Sequence, residues 1–333
     1  MVVDIHADIW TDVTVKRSLG EKDVIKRYHL DRFKRGNMVG GTFMVWIDPP
    51  HDERPKERFE ESVKYMSAEI WENQDILKVI YNTEDFYKAV DEGRLAVLLG
   101  LEGLSPLGQD VEGLYILYQL GFRQISLTWN EENAFATGAR GNNGRGLTQL
   151  GKKAVRIIED LGIILDVSHA NDRTFWDIYD IATKPIIASH SNARALCNVP
   201  RNLTDEQIKA IGESKGLVGI NAFNEFIHVD RDKRNADYLI NHIEHIVDLI
   251  GIDHVAFGFD FFEYLEEDTS NSFIQDPYRG TPGIEDISKA PNLINKLKER
   301  GFSQEDIEKI SYKNYLSLMD RVLTNGHNNK TPY

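Results

Sequence analysis

Six residues of this chain have the types and placement to hold a divalent metal: His6, Asp8, Glu102, His169, His190 and Asp260. Imidazole nitrogens and carboxylate oxygens together make a mixed ligand shell suited to zinc or a similar ion. His6 and Asp8 stand two residues apart in Asp4-Ile5-His6-Ala7-Asp8, a spacing that sends both side chains to one face of a strand. Glu102 is flanked by glycine in Gly100-Leu101-Glu102-Gly103, which leaves its carboxylate open to close approach. His169 and His190 each end an apolar run with a Ser-His pair, and Asp260 follows Phe257-Gly258-Phe259. Gathered at one rim, these groups would leave several buried charges unpaired unless a cation compensated them, which points to a metal site.

They can meet only if the elements that carry them end on one side of the molecule. Residues 163–190 show how. Ile163-Ile164-Leu165-Asp166-Val167 and Pro185-Ile186-Ile187-Ala188 read as strands buried on both faces, and Phe175, Ile178 and Ile181 between them keep helical spacing. Parallel strands need such a crossover, so His169 and His190 are expected at the same end of neighbouring strands. Apolar runs ending in polar residues give eight candidate strands, at 2–8, 39–47, 95–102, 124–130, 163–169, 186–190, 217–221 and 254–260. Helical patterns fill the gaps, at 57–79, 150–161, 205–212 and 238–250, and two more follow the last strand at 285–300 and 303–323. Gly121, Gly162 and Gly251 punctuate helix ends, as left-handed cap residues do. The alternation predicts a single (β/α)8 TIM-type barrel over residues 1–333, with C-terminal helices and a short polar tail at 325–333 that is expected to fray. Active sites of such barrels form at the carboxyl ends of the strands, where the six residues fall.

Composition fits this picture. With 41% hydrophobic and 28% charged residues, the 333-residue chain can bury a sizeable core. A net charge of -14 argues against a nucleic-acid or anionic-membrane partner, since either needs a concentrated basic surface. Cys197 is the only cysteine, so no intrachain disulfide can form. A start in a strand pattern, with no charged leader and no long apolar run, gives the expectation of a soluble cytoplasmic protein.

In order and spacing, His6 and Asp8 in DIHAD, Glu102 in GLEG, His169 in DVSHAN, His190 in ASHSNARALCNVPRN and Asp260 in GFD resemble the membrane dipeptidase (renal dipeptidase) family of zinc peptidases, family M19, among the metallo-dependent amidohydrolase-like barrels. The likeness extends over essentially the whole chain. It implies two Zn2+ ions per chain, with His6 and Asp8 on one, His169 and His190 on the other and Glu102 bridging. Other divalent ions fit the same ligands. Two close ions can share a hydroxide that attacks the amide bond of a small dipeptide. The resemblance makes Asp260 the acceptor of a proton from water and its donor to the leaving amine, and Arg201 the holder of the substrate's terminal carboxylate. Dimers are common in the family, so a homodimer is left open. Two departures stand out. Trp129 in Leu127-Thr128-Trp129-Asn130 occupies the place of a histidine that assists the oxyanion in the best-known members, and Asp260 is followed by Phe261-Phe262-Glu263. Indole donates one neutral hydrogen bond and cannot be protonated, so Trp129 either leaves that task to the ions or walls the substrate pocket. Two alternatives stay open: another amidohydrolase-type reaction on a lactam, cyclic amide or phosphoester, and a barrel kept as a binding protein. The first usually needs a lysine at a strand end and the second a lost ligand, and neither is found.

Overall fold

Short apolar runs flanked by polar residues settle into parallel strands. The computed structural model describes residues 1–265, 269 and 280–323. Among them are β1 (Val2–Ala7), β2 (Met38–Trp46), β3 (Leu77–Val79), β4 (Leu95–Glu102), β5 (Phe122–Ser126), β6 (Ile164–Asp166), β7 (Ile186–Ala188), β8 (Leu217–Ile220) and β9 (Val255–Phe257). The ladder runs β1-β2-β4-β5-β6-β7-β8-β9 with every pair parallel, the arrangement of an eight-stranded barrel. β3 lies off this path and pairs with the first half of β4, before β5 takes over at Leu99.

β1 and β9 meet across the closing seam through a side chain. The N–H groups of His6 and Phe259 donate to Asp4 Oδ1 at 3.2 and 3.0 Å, and Asp260 N donates to His6 O at 3.3 Å. Burial, more than the two N–H donors can offset, pushes the Asp4 carboxyl up to about 8.

Alternate strand residues fill the interior. Val3, Ile5, Leu98, Ile164, Ile187 and Leu217 form one apolar cluster with Tyr315, Leu318 and Met319 of the helix Asn314–Val322. The amino-terminal part of the chain's barrel interior is thereby packed by its carboxyl-terminal helix. The opposite strand residues, such as Val97, Leu99 and Leu165, pack outward with Val155, Ile158 and other helical residues. The helix Gln149–Leu161 shows how locally this is encoded: Thr148 caps its start by accepting from Gly151 N, and Gly162 ends it in the left-handed conformation (φ 70, ψ 39).

Several boundaries differ from expectation. The pattern at 57–79 divides into the helix Pro55–Glu72 and strand β3, because Asn73 Nδ2 turns back onto Glu69 O and Leu77 finds ladder partners on β4. The helix expected from 285 begins at Ala290, since Pro291 has no N–H and is tolerated only in a first turn. The last helical pattern is interrupted by a π-turn at Lys309–Lys313. The strands expected to reach 130, 169, 190 and 260 stop two to four residues earlier, so their terminal side chains sit in loops just past the strands. His169 and Asp260 adopt φ of 66 and 57, which no ladder accommodates. The tail at 325–333 lies outside the described residues. Among the described residues no helix is long and apolar enough to cross a membrane.

Candidate metal centre

The six residues read from the sequence converge. His6 and Asp8 come from the end of β1, Glu102 closes β4, His169 and His190 follow β6 and β7, and Asp260 follows β9. Glu102 Oε1 stands 2.9 Å from His169 Nε2, 3.4 Å from His190 Nε2 and 3.8 Å from His6 Nε2. His6 Nε2 is also 3.8 Å from Asp8 Oδ1 and 3.9 Å from Asp260 Oδ1. Three triads each place their ligand atoms within 4.8 Å of one another: His6, Asp8 and Glu102; Glu102, His169 and His190; and His6, His190 and Asp260. The first two share only Glu102.

The far side of each imidazole is occupied. Asn130 Oδ1 lies 3.0 Å from His169 Nδ1, and Ser189 Oγ lies 2.8 Å from His190 Nδ1 and 3.2 Å from His6 Nδ1. Every Nε2 therefore faces the centre. Among the described residues, His6 Nε2, His190 Nε2, Asp8 Oδ1 and Glu102 Oε1 are buried there without a hydrogen-bond partner. Orphaned lone pairs of this kind are costly in a folded protein and are what a cation satisfies, so the donor set fits a divalent metal.

Electrostatics agree. Burial first, and the charge of Arg201 second, push the His6 imidazole down to about 3. Burial likewise holds His169 and His190 well below the usual imidazole range, so all three present neutral nitrogens. Burial, reinforced by neighbouring carboxylates, drives Asp8 and Glu102 well upward. A divalent cation reverses that penalty by favouring the ionised carboxylates.

A cavity of about 180 Å³ opens on the cluster. Trp46, Trp129, Phe223, Phe226 and Phe262 supply apolar walls, while Arg201 and the solvent-exposed Arg140 are the arginines among its lining residues. Arg201 donates from Nη2 to His190 O at 3.2 Å and lies 5.5 Å over the Phe226 ring. It belongs to the cavity and not to the helix that Thr204 caps. Trp129 is in the wall, its ring 5.2 Å from Trp46 and 6.0 Å from His169. Asn130, Ser189 and Arg140 escaped the sequence reading. The first two had a signal, since Asn130 follows Trp129 and Ser189 is half of a Ser-His pair. Arg140, in a glycine-rich loop, had none.

The model of the membrane dipeptidase family, peptidase family M19, matches residues 1–332. A Klebsiella pneumoniae protein encoded in the pqqA 5' region is 33% identical over 256 residues, covering 74% of this chain and 89% of its own. The dipeptidase tcpJ of Claviceps purpurea is 28% identical over 315 residues, covering 90% of this chain and 70% of its own. A metallo peptidase from Rhodobacter sphaeroides, solved with a phosphinate mimic of L-Ala-D-Ala, shares the fold at a TM-score of 0.84 and 24% identity, over 96% of this chain and 99% of its own. With a match to the family over residues 1–332 joined to a cluster of side chains able to hold a metal, the chain belongs to the membrane dipeptidase family M19 and is a metal-dependent dipeptidase.

Proposed function

We propose that this chain hydrolyses the amide bond of dipeptides at a two-zinc centre, with His6 and Asp8 holding one ion, His169 and His190 the other, and Glu102 bridging them. The observation that carries this reading is the position of Glu102 Oε1, between 2.9 and 3.8 Å from the Nε2 atoms of three histidines on three strand ends. Bound divalent ions supply Lewis acidity, which acidifies the attacking water and polarises the scissile carbonyl.

The chain's own residues do the rest. Asp260 takes the proton of the attacking water and returns it to the leaving amine. Burial raises its carboxyl to about 6 against the pull of Arg201 and of the bond from Asn221 Nδ2 to Oδ2 at 3.0 Å. Arg201 offers a planar fork to the substrate's terminal carboxylate, held in place through His190 O. Trp129 and Trp46 pack against the substrate and keep bulk water from the reacting bond. A binding-only barrel has no need of a complete ligand set, so catalysis is the better reading.

The test is zinc content and dipeptide turnover of the purified protein and of Glu102→Ala. Loss of both in the variant is expected. A variant that keeps its zinc stoichiometry and its turnover overturns the assignment.

A further inference from the structure

Arg140 is the second arginine lining the cavity that holds Arg201, and the dipeptidase reading leaves it without a task. Its loop is fixed. Arg140 N donates to the backbone carbonyl of Asn130 at 3.0 Å and Ala139 N to that of His169 at 2.8 Å, so the loop backbone is tied to the backbone of both residues. The preceding glycine lets this happen, because a Cβ on Gly138 would stand 2.1 Å from Trp129 O.

Most arginines nearby are spent on structure: Arg145 binds three loop oxygens, Arg194 binds Asp172 and Arg58 binds Asp48. Among the described residues, Arg140 makes no side-chain hydrogen bond or ion pair. Its charge is nonetheless felt at both His169 and Arg201. Arg201 is balanced by Asp260 and Glu102, whereas Arg140, among the described residues, has no such partner; it lines a cavity whose other walls carry aromatic rings and the carboxylates of the candidate metal cluster and Glu225.

We propose that Arg140 and Arg201 form a two-anion subsite, which selects dipeptides whose C-terminal residue carries a side-chain carboxylate, as aspartate and glutamate do. This rests on the reading above, in which Arg201 takes the terminal carboxylate. In such a residue the second carboxylate is only a few bonds from the first, so two guanidinium groups reaching into one cavity can engage both, each through charge-assisted hydrogen bonds. An amide of the same shape cannot supply the second charge.

The experiment compares matched pairs, Ala-Glu with Ala-Gln and Ala-Asp with Ala-Asn, in both stereochemistries of the second residue, on zinc-loaded full-length protein. The acidic member is expected to have the higher kcat/KM by about tenfold or more, mainly through KM. Arg140→Gln should erase most of that ratio by weakening the acidic member, whereas Arg201→Gln should weaken both. Calorimetry of free glutamate against free glutamine on the metal-free protein provides a reading independent of turnover, with glutamate binding lost in Arg140→Gln. An absence of preference in the wild type, or an equal loss on both members in Arg140→Gln, overturns the subsite while leaving the dipeptidase reading standing. No turnover of any pair sinks the dipeptidase reading, and the calorimetry then decides the subsite alone.

Discussion

Asn130 Oδ1 stands 3.0 Å from Nδ1 of His169. His169 occupies a left-handed backbone conformation (φ 66), so its ring direction depends on this partner more than on the strand behind it. An acceptor at Nδ1 fixes the tautomer that turns the Nε2 lone pair toward Glu102. Asn130→Ala is expected to weaken zinc binding by about 10- to 100-fold, measured by competition with a chelator of known affinity. Unchanged affinity would show that the ring is held by other contacts.

Zinc should stabilise the fold. A ligand that binds only the native state at about 100 times its Kd contributes ~2.7 kcal/mol. Thermal unfolding with added zinc should therefore show a clear rise in Tm over chelator-treated protein. Glu102→Ala should show little of that rise, because Glu102 belongs to both of the triads that would hold the ions.

Trp129 and Glu102 line the catalytic cavity and also a neighbouring one of about 510 Å³. Trp129→Ala should merge the two and remove a wall. We expect kcat/KM for alanyl-alanine to fall by about tenfold, with bulkier dipeptides losing less. Parallel losses across a panel of side-chain sizes would show that the indole does not shape selectivity.

His242 is buried on the helix Ala236–Ile250, accepting from Ala193 N at 3.1 Å and lying 2.8 Å from Ile227 O. It ties the loop after His190 to the one after β8. Burial lowers its pKa from 6.5 to about 4. The unfolded chain therefore takes up this proton first as pH falls: the contribution is zero above about 6.5, grows unfavourable below it and levels off near 4, at about 3 kcal/mol. Wild-type stability should fall more steeply than that of His242→Asn over this window in denaturant titrations. Its ring resonances should not titrate above pH 5. A normal titration near 6.5 would refute the assignment.

Much of the metal centre was legible before any coordinates. Ligand pairs such as His6 and Asp8 follow from strand periodicity, and each ligand ends an apolar run, so knowing that the strands were parallel was enough to place all of them on one rim. The strand lengths were overestimated because nothing local announces that His169 and Asp260 leave the ladder with positive φ.

Residue type, period and order along the chain were enough for the barrel, a candidate ligand set and the family. That Ser189 reaches two imidazoles, that Asp4 stitches the seam between β1 and β9, and that Arg140 shares a cavity with Arg201 emerged only in the packed molecule. Those relations join residues far apart in the chain through loop conformations and side-chain directions. Such features arise from packing the whole molecule, and no local pattern of residues encodes them.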